Sequence, residues 1–200
     1  MNTHVPDRTA VKTLLDAEGL ARTLSRIAHE IIERNDDLGT VALVGIHTRG
    51  VPIAHRLRRL VEDLTDETIP LGDIDIAFYR DDLSTRAADP EVHSTHLPFR
   101  LEDYTVVLVD DVLYTGRTAR AGIEALFDYG RPDRVQLAVL ADRGHRELPI
   151  RPDYVGKNLP TAFTERVNVE LEETDGVDEV TIGTGRGATV ATNGSGGDES

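Results

Sequence analysis

One segment limits what this chain can become more than any other. From Val106 to Thr118 it reads VVLVDDVLYTGRT. An apolar run of strand length ends in two adjacent carboxylates, Asp110 and Asp111. A turn through Thr115 and Gly116 then leads into helical spacing. This is an anion cradle. Gly116 lets the backbone turn and approach a ligand closely. Amides at the helix start point at a phosphate, and the helix dipole adds to them. Thr115 and Thr118 add hydroxyl donors. The two carboxylates would repel a phosphate; they suit sugar hydroxyls or a hydrated Mg²⁺. Phosphate, diol and metal in one loop indicate a phosphorylated sugar. The segment has neither the Gly-Lys-Ser/Thr of a Walker loop nor a G-x-G-x-x-G fingerprint.

The flanking sequence alternates between two periods. Leu20, Leu24, Ile27, Ala28 and Ile31 predict a helix over residues 16–35, and Val41–Ile46 reads as a buried strand. His47-Thr48-Arg49-Gly50 interrupts, and Ile53, Leu57, Leu60, Val61 and Leu64 predict a second helix over 51–64, with Pro52 in its first turn. Ile74, Ile76 and Phe78 alternate with Asp73, Asp75 and Ala77 and predict a strand. Residues 81–100 are polar and read as a functional flap. A third helix is expected over 119–130 with Ile123, Leu126 and Phe127 on one face, and a strand over 135–140. Tyr154-Val155 and Val167–Leu171 read as short strands. From Gly183 the chain is small and polar, which predicts a disordered tail over 183–200 behind a domain of residues 1–182. Strands alternating with helices give an α/β fold with a mostly parallel sheet. Ligands in such sheets bind beyond the carboxyl ends of the strands.

Composition removes several classes of function. With no Cys there is no disulfide framework, Cys-ligated metal or Cys nucleophile. His29, His47 and His145 lack metal-ligand spacing. The longest apolar runs are of strand length, too short for a membrane span, and MNTHVPDRTA lacks a secretory apolar stretch, so a cytoplasmic protein is expected. The net charge is −14, and residues 165–200, with nine acidic and two basic side chains, supply half of it. Such a surface repels polyanions and gives no expectation of DNA binding.

Beyond the cradle, LVGIHTRG, IAFYRDDL, QLAVLADRGHRELPIRPDYVGKNLPT and RIAHEIIERN complete a set of motifs running from about Leu20 to Leu171. Together with LVDDVLYTGRT, this set resembles type I phosphoribosyltransferases. Within them it resembles the PyrR family of bifunctional pyrimidine operon regulators and uracil phosphoribosyltransferases. The resemblance implies a central, mostly parallel sheet flanked by helices, a flexible flap and a small hood. It implies the conversion of uracil and 5-phosphoribosyl-1-diphosphate (PRPP), with Mg²⁺, to UMP and diphosphate.

Residue by residue, the resemblance gives Asp110 and Asp111 the ribose hydroxyls and, through water, the Mg²⁺. Val112, Leu113, Tyr114, Thr115, Gly116, Arg117 and Thr118 would wrap the 5′-phosphate. Thr48, Arg49 and Gly50 would contact diphosphate, Arg80 would close over it from the flap, and Arg143 would touch substrate. Backbone groups near Val155 would read uracil. Arg49, Arg80, Asp110 and Asp111 form the catalytic set. Arg80→Ala should therefore lower turnover strongly while leaving the fold intact, as steady-state kinetics beside a circular dichroism spectrum would report.

Members of this family also bind leader mRNA of the pyrimidine operon under control of UMP. The associated basic positions are Arg26, His29, Arg146, Arg151 and Lys157. A homo-oligomer is implied too. A transferase for a purine base, and an RNA-binding regulator with an inactive PRPP loop, are the alternative readings.

Overall fold

The computed structural model describes residues 11–79 and 93–184. Five strands form one parallel sheet, in the order β3-β2-β4-β5-β6: β2 (Val41–Ile46), β3 (Leu71–Ile74), β4 (Thr105–Leu113), β5 (Arg134–Asp142) and β6 (Tyr154–Asn158). The inner strands read as unbroken apolar runs because both faces are covered. Val41, Leu43, Val107, Val109, Ala138 and Leu140 face one core. Val44, Ile46, Val106, Leu108, Leu137 and Val139 face the other. That is the period-two alternation of a strand, expressed on two buried sides.

The first core is closed by α1 (Ala17–Arg34) and α2 (Gly50–Thr65), the second by α3 (Arg117–Tyr129). Leu20, Leu24, Ile27, Ala28 and Ile31 form the buried stripe of α1. Asp16 caps that helix by accepting from the Gly19 amide at 2.8 Å. At the other end, Asn35, Gln136 and Tyr154 satisfy one another across α1, β5 and β6. Each fully buried Leu or Ile contributes about 1.5–3 kcal/mol. Two cores on one sheet therefore hold its position firmly.

A second, three-stranded antiparallel sheet, β1-β8-β7, is the hood expected from the resemblance. It consists of β1 (Lys12–Leu15), β7 (Glu165–Glu170) and β8 (Glu179–Thr184), with a one-turn helix α4 (Glu172–Asp175) between the last two. Val169, Leu171 and Val180 sink from it into the first core.

Several expectations change. The strand expected through Phe78 stops at Ile74, because the chain turns over Ala77–Tyr79 and leaves Phe78 81% exposed. Asp110 to Leu113 belong to β4, since the pairing with β5 continues to Leu113 and Asp142. Helix α3 starts at Arg117 rather than Ala119. Leu64 and Phe127, assigned to buried helix faces, are about half exposed at 46% and 50%.

Residues 93–100 are not part of a free flap. His96 pairs with Asp73 across an isolated bridge, and Leu97 and Phe99 pack on the second core. Arg80 and the rest of the flap, 80–92, lie outside the described residues. So does the tail from 185 onward, whereas Gly183 and Thr184 are paired in β8. No helix among the described residues is long and apolar enough to cross a membrane.

Candidate functional site

The strand order reverses between β2 and β4. The chain moves from β2 outward to β3, then returns to β4 and proceeds to β5 and β6. A parallel sheet opens a crevice at such a reversal, beyond the carboxyl ends of the two strands. Thr48-Arg49-Gly50 follow β2 at that edge, and Asp110 to Gly116 run out of β4 beside them.

Gly50 holds the two loops together. A Cβ built there would lie 2.3 Å from the Val109 carbonyl oxygen and 3.3 Å from Asp110 Cα. The backbones touch where the two adjacent carboxylates begin. Asp110 is buried and Asp111 half-buried, and each accepts the next amide along, at 2.9 and 2.7 Å. As neighbours on an extended strand they project to opposite faces. Both are hard oxygen donors, which fits a hydrated Mg²⁺.

Beyond Leu113 the loop is short. Gly116 takes φ +94°, open to glycine at no steric cost, and forms the N-cap of α3 with no side-chain cap. The start of α3 lines a cavity, where first-turn amides can meet an anion, and the Arg117 amide donates to Thr115 Oγ1 at 3.4 Å. The loop is braced from behind. The Thr115 carbonyl accepts from the amides of Glu147 and Leu148 at 2.9 and 3.1 Å. Arg117 pairs with Glu147 at 2.8 Å.

Residues 112–118 line a cavity of about 650 Å³ together with Arg143, Glu147, Phe163, Arg166 and Asn168. A second cavity, of about 670 Å³, lies between Arg143, His145, Arg151, Val155, Leu159 and Thr161. Arg143 is the wall they share. Its guanidinium is 8% exposed and stands 3.9 Å from the centroid of the Tyr114 ring. It donates to Thr161 Oγ1 at 3.1 Å and to the Glu165 carbonyl at 2.7 Å. Its hydrogen-bond partners among the described residues are a hydroxyl and carbonyls, none of them a carboxylate. A desolvated cation of that kind keeps most of its charge for an anion.

The structure thus brings Thr48, Arg49 and Gly50 beside Asp110. It brings Val112–Thr118 beside Arg143, and Arg143 beside Val155. Arg80 lies outside the described residues, but Tyr79 before it is fastened. Its hydroxyl donates to Asp128 at 2.6 Å, which pushes its pKa up to about 12. Behind the β2 loop, His47 pairs with Asp73 at 2.7 Å and stacks on His93 at 4.6 Å. The His47–Thr48 peptide bond is cis.

The basic positions assigned to RNA are distributed differently. Arg26 pairs with Glu30 and donates to the Val155 and Gly156 carbonyls. Lys157 donates to the Leu14 carbonyl at 3.1 Å. Arg146 is drawn inward by Asp142 (2.6 Å) and by the carbonyls of Ile150 and Tyr114. His29 and Arg151 are exposed.

Sequence reasoning missed the share of the hood and the segment before it: Phe163, Arg166 and Asn168 lining the cavity beside residues 112–118, and Asp175 on Arg49. The alternation in ERVNVE could have shown Arg166 and Asn168 facing away from the core.

The hood is clasped to α2. Arg56 bonds both Glu173 (2.8 and 2.5 Å) and Asp178 (2.8 and 2.7 Å). These bonds hold the two carboxyls below their ordinary values of 4.5 and 3.8. A depressed folded-state pKa contributes stability above the ordinary value, and that stability is lost as pH falls through the lowered one. Acidification below about pH 4 should therefore loosen the hood before the main sheet. Amide exchange measured from neutral to acid pH would show β7 and β8 losing protection first, and Arg56→Met should remove that acid step.

Comparison with known proteins agrees with this geometry. Residues 10–174 match the family model described as a phosphoribosyl transferase domain. The chain is 59% identical over 170 residues to the bifunctional protein PyrR of Deinococcus deserti, covering 85% of this chain and 93% of that one. It is 57% identical over 169 residues to the bifunctional protein PyrR of Pelotomaculum thermopropionicum, covering 84% and 93%. Among solved structures, a hypoxanthine phosphoribosyl transferase of Trypanosoma cruzi superposes with a TM-score of 0.66 at 19% identity, over 86% of this chain and 90% of that one.

Proposed function

This chain belongs to the phosphoribosyl transferase family, and to the PyrR proteins within it, and from that premise we propose that it transfers phosphoribose from PRPP to uracil, releasing diphosphate and forming UMP. The observation that carries the reading is the gathering of ligand-shaped elements at the carboxyl edge of the sheet: the start of α3, which lines a cavity together with Arg143, a second cavity on the other side of Arg143, and the β2 loop packed against Asp110 at Gly50.

The division of labour follows from chemistry. The 5′-phosphate lies on the amides of Thr115–Thr118, with the Thr hydroxyls as further donors. Asp110 and Asp111, on opposite faces at the end of β4, would divide the ribose hydroxyls and a hydrated Mg²⁺ between them, the ion supplying charge screening. As diphosphate leaves C1, positive charge grows on the sugar and negative charge on the leaving group. Arg49, matched to phosphate oxygens, offsets the latter, and Mg²⁺ when bound does the same. By the resemblance, Arg80, which lies outside the described residues, would act on the diphosphate and exclude water. Uracil sits in the cavity beside Val155, whose backbone reads its edge, and attacks from the face opposite the leaving group. The protein's contribution is mainly orientation and charge stabilisation.

An assay with PRPP, Mg²⁺ and each of uracil, hypoxanthine, guanine and orotate tests this. UMP from uracil is expected. Turnover confined to a purine would transfer the site to the purine-base reading.

We also propose a second activity, the one implied by the family resemblance: regulation of the pyrimidine operon, exerted by UMP-dependent binding of leader mRNA. The exposed His29 and Arg151, with Arg26 at the α1–β6 edge, support a contact surface for phosphates. Titration of a leader stem-loop with and without UMP should show binding that tightens with UMP. No binding at low salt would end this reading. Self-association, as a dimer or larger, belongs to the same proposal and is read by light scattering.

A further inference from the structure

The inference here concerns the regulation of the diphosphate loop and rests on the reading of Thr48-Arg49-Gly50 just given. Arg49 meets Asp175 with two bonds, Nη2 to Oδ1 at 2.8 Å and Nε to Oδ2 at 3.2 Å. The two side chains are 37% and 22% exposed, so the pair lies at the surface, within reach of solvent, rather than in the core. The carboxylate is also firmly placed. Its Oδ2 accepts from the Leu171 amide at 3.0 Å and from the Thr174 hydroxyl at 2.6 Å. The turn that carries it is held to α2 through Arg56, Glu173 and Asp178.

Two parallel bonds from one guanidinium edge to two oxygens are also what Arg offers a phosphate. One edge cannot hold both partners at once. We propose that Asp175 occupies the diphosphate-binding edge of Arg49 in the ligand-free protein, and that the incoming diphosphate group displaces it. Substrate binding is then an exchange of an internal carboxylate for a phosphate. One consequence follows: affinity for the diphosphate moiety is lowered by the strength of the internal pair. Asp175 is a positioning residue: it acts on the reaction through Arg49, 126 positions away in sequence.

The test uses the full chain with Mg²⁺. Calorimetric titration with inorganic diphosphate and steady-state kinetics with PRPP are run on the wild type, Asp175→Asn and Glu172→Gln. Asp175→Asn should lower both the Kd for diphosphate and the KM for PRPP by about three- to fivefold, the worth of one partly exposed pair, with kcat unchanged. Glu172→Gln removes the same charge from the same turn without touching Arg49 or the Arg56 clasp, and should stay within about twofold of wild type.

A second measurement needs no variant: adding diphosphate should speed amide exchange over residues 171–176, as the carboxylate lets go of Arg49. An unchanged or raised Kd in Asp175→Asn, an equal fall in Glu172→Gln, or unchanged exchange would overturn the proposal. A wild-type protein that neither binds diphosphate nor forms UMP would instead overturn the reading of the site itself.

Discussion

Replacing Gly50 by Ala should both destabilise the protein and silence it. The added methyl would stand 2.3 Å from the carbonyl oxygen of Val109, with Asp110 Cα next at 3.3 Å. Neither obstacle is the movable end of a side chain. Both belong to β4, the central strand of the sheet. The start of α2 must then lift away from β4, taking the β2 loop with it. Overpacking against backbone costs about 3 kcal/mol. In a chain of this size that lowers Tm by about 6–12 °C. The kinetic effect should be larger, since a shift of about 1 Å between the groups proposed to hold diphosphate and ribose costs about 100-fold in rate. Thermal melting and steady-state kinetics on the same preparation would check both. A variant with wild-type Tm and activity would show that the two loops do not need this contact.

Arg143 carries the second large effect. Burying a guanidinium is costly, and this one is compensated by a hydroxyl, carbonyls and the face of Tyr114 rather than by a carboxylate. A structural role alone would be served as well by an apolar side chain of similar length. Arg143→Met should keep the fold yet reduce kcat/KM for PRPP by about 100-fold or more, the usual cost of removing one electrostatic contact to developing charge. Arg143→Lys, which keeps the charge but loses the planar stack and the fork of donors, should recover part of that loss. Near-normal kinetics for the Met variant would assign Arg143 to packing between β5 and the hood.

How much of this was legible in the sequence depended on how local the signal was. Val41–Ile46 and the apolar core of β4 declare themselves because both faces are buried, so hydrophobicity alone marks them. The amphipathic stripes of α1 and α2 are equally local. The hood was only half visible. Lys12–Leu15 has an exposed half and no strong alternation, and its partner β8 lies about 170 positions further along. Only tertiary pairing makes it a strand.

The false strand at Phe78 has the same origin. Ile74, Ile76 and Phe78 have the right period, but Ile76 is buried after the strand has ended and Phe78 points outward. Within the site, residue types and loop positions were readable from VVLVDDVLYTGRT and HTRG. Partners were not. The seating of Arg143 on Tyr114 and the hold of Asp175 on Arg49 join segments far apart in sequence, and nothing in either segment names the other.

The central claim is that the turn after β4 and the first amides of α3 grip a sugar phosphate. A crystal structure with a non-hydrolysable PRPP analogue and Mg²⁺ measures this directly. The account predicts the 5′-phosphate within hydrogen-bond distance of the backbone amides of residues 115–118, the ribose hydroxyls against Asp110 or Asp111, and Arg143 lining the same crevice. An analogue bound elsewhere, with those amides facing only water, would contradict it.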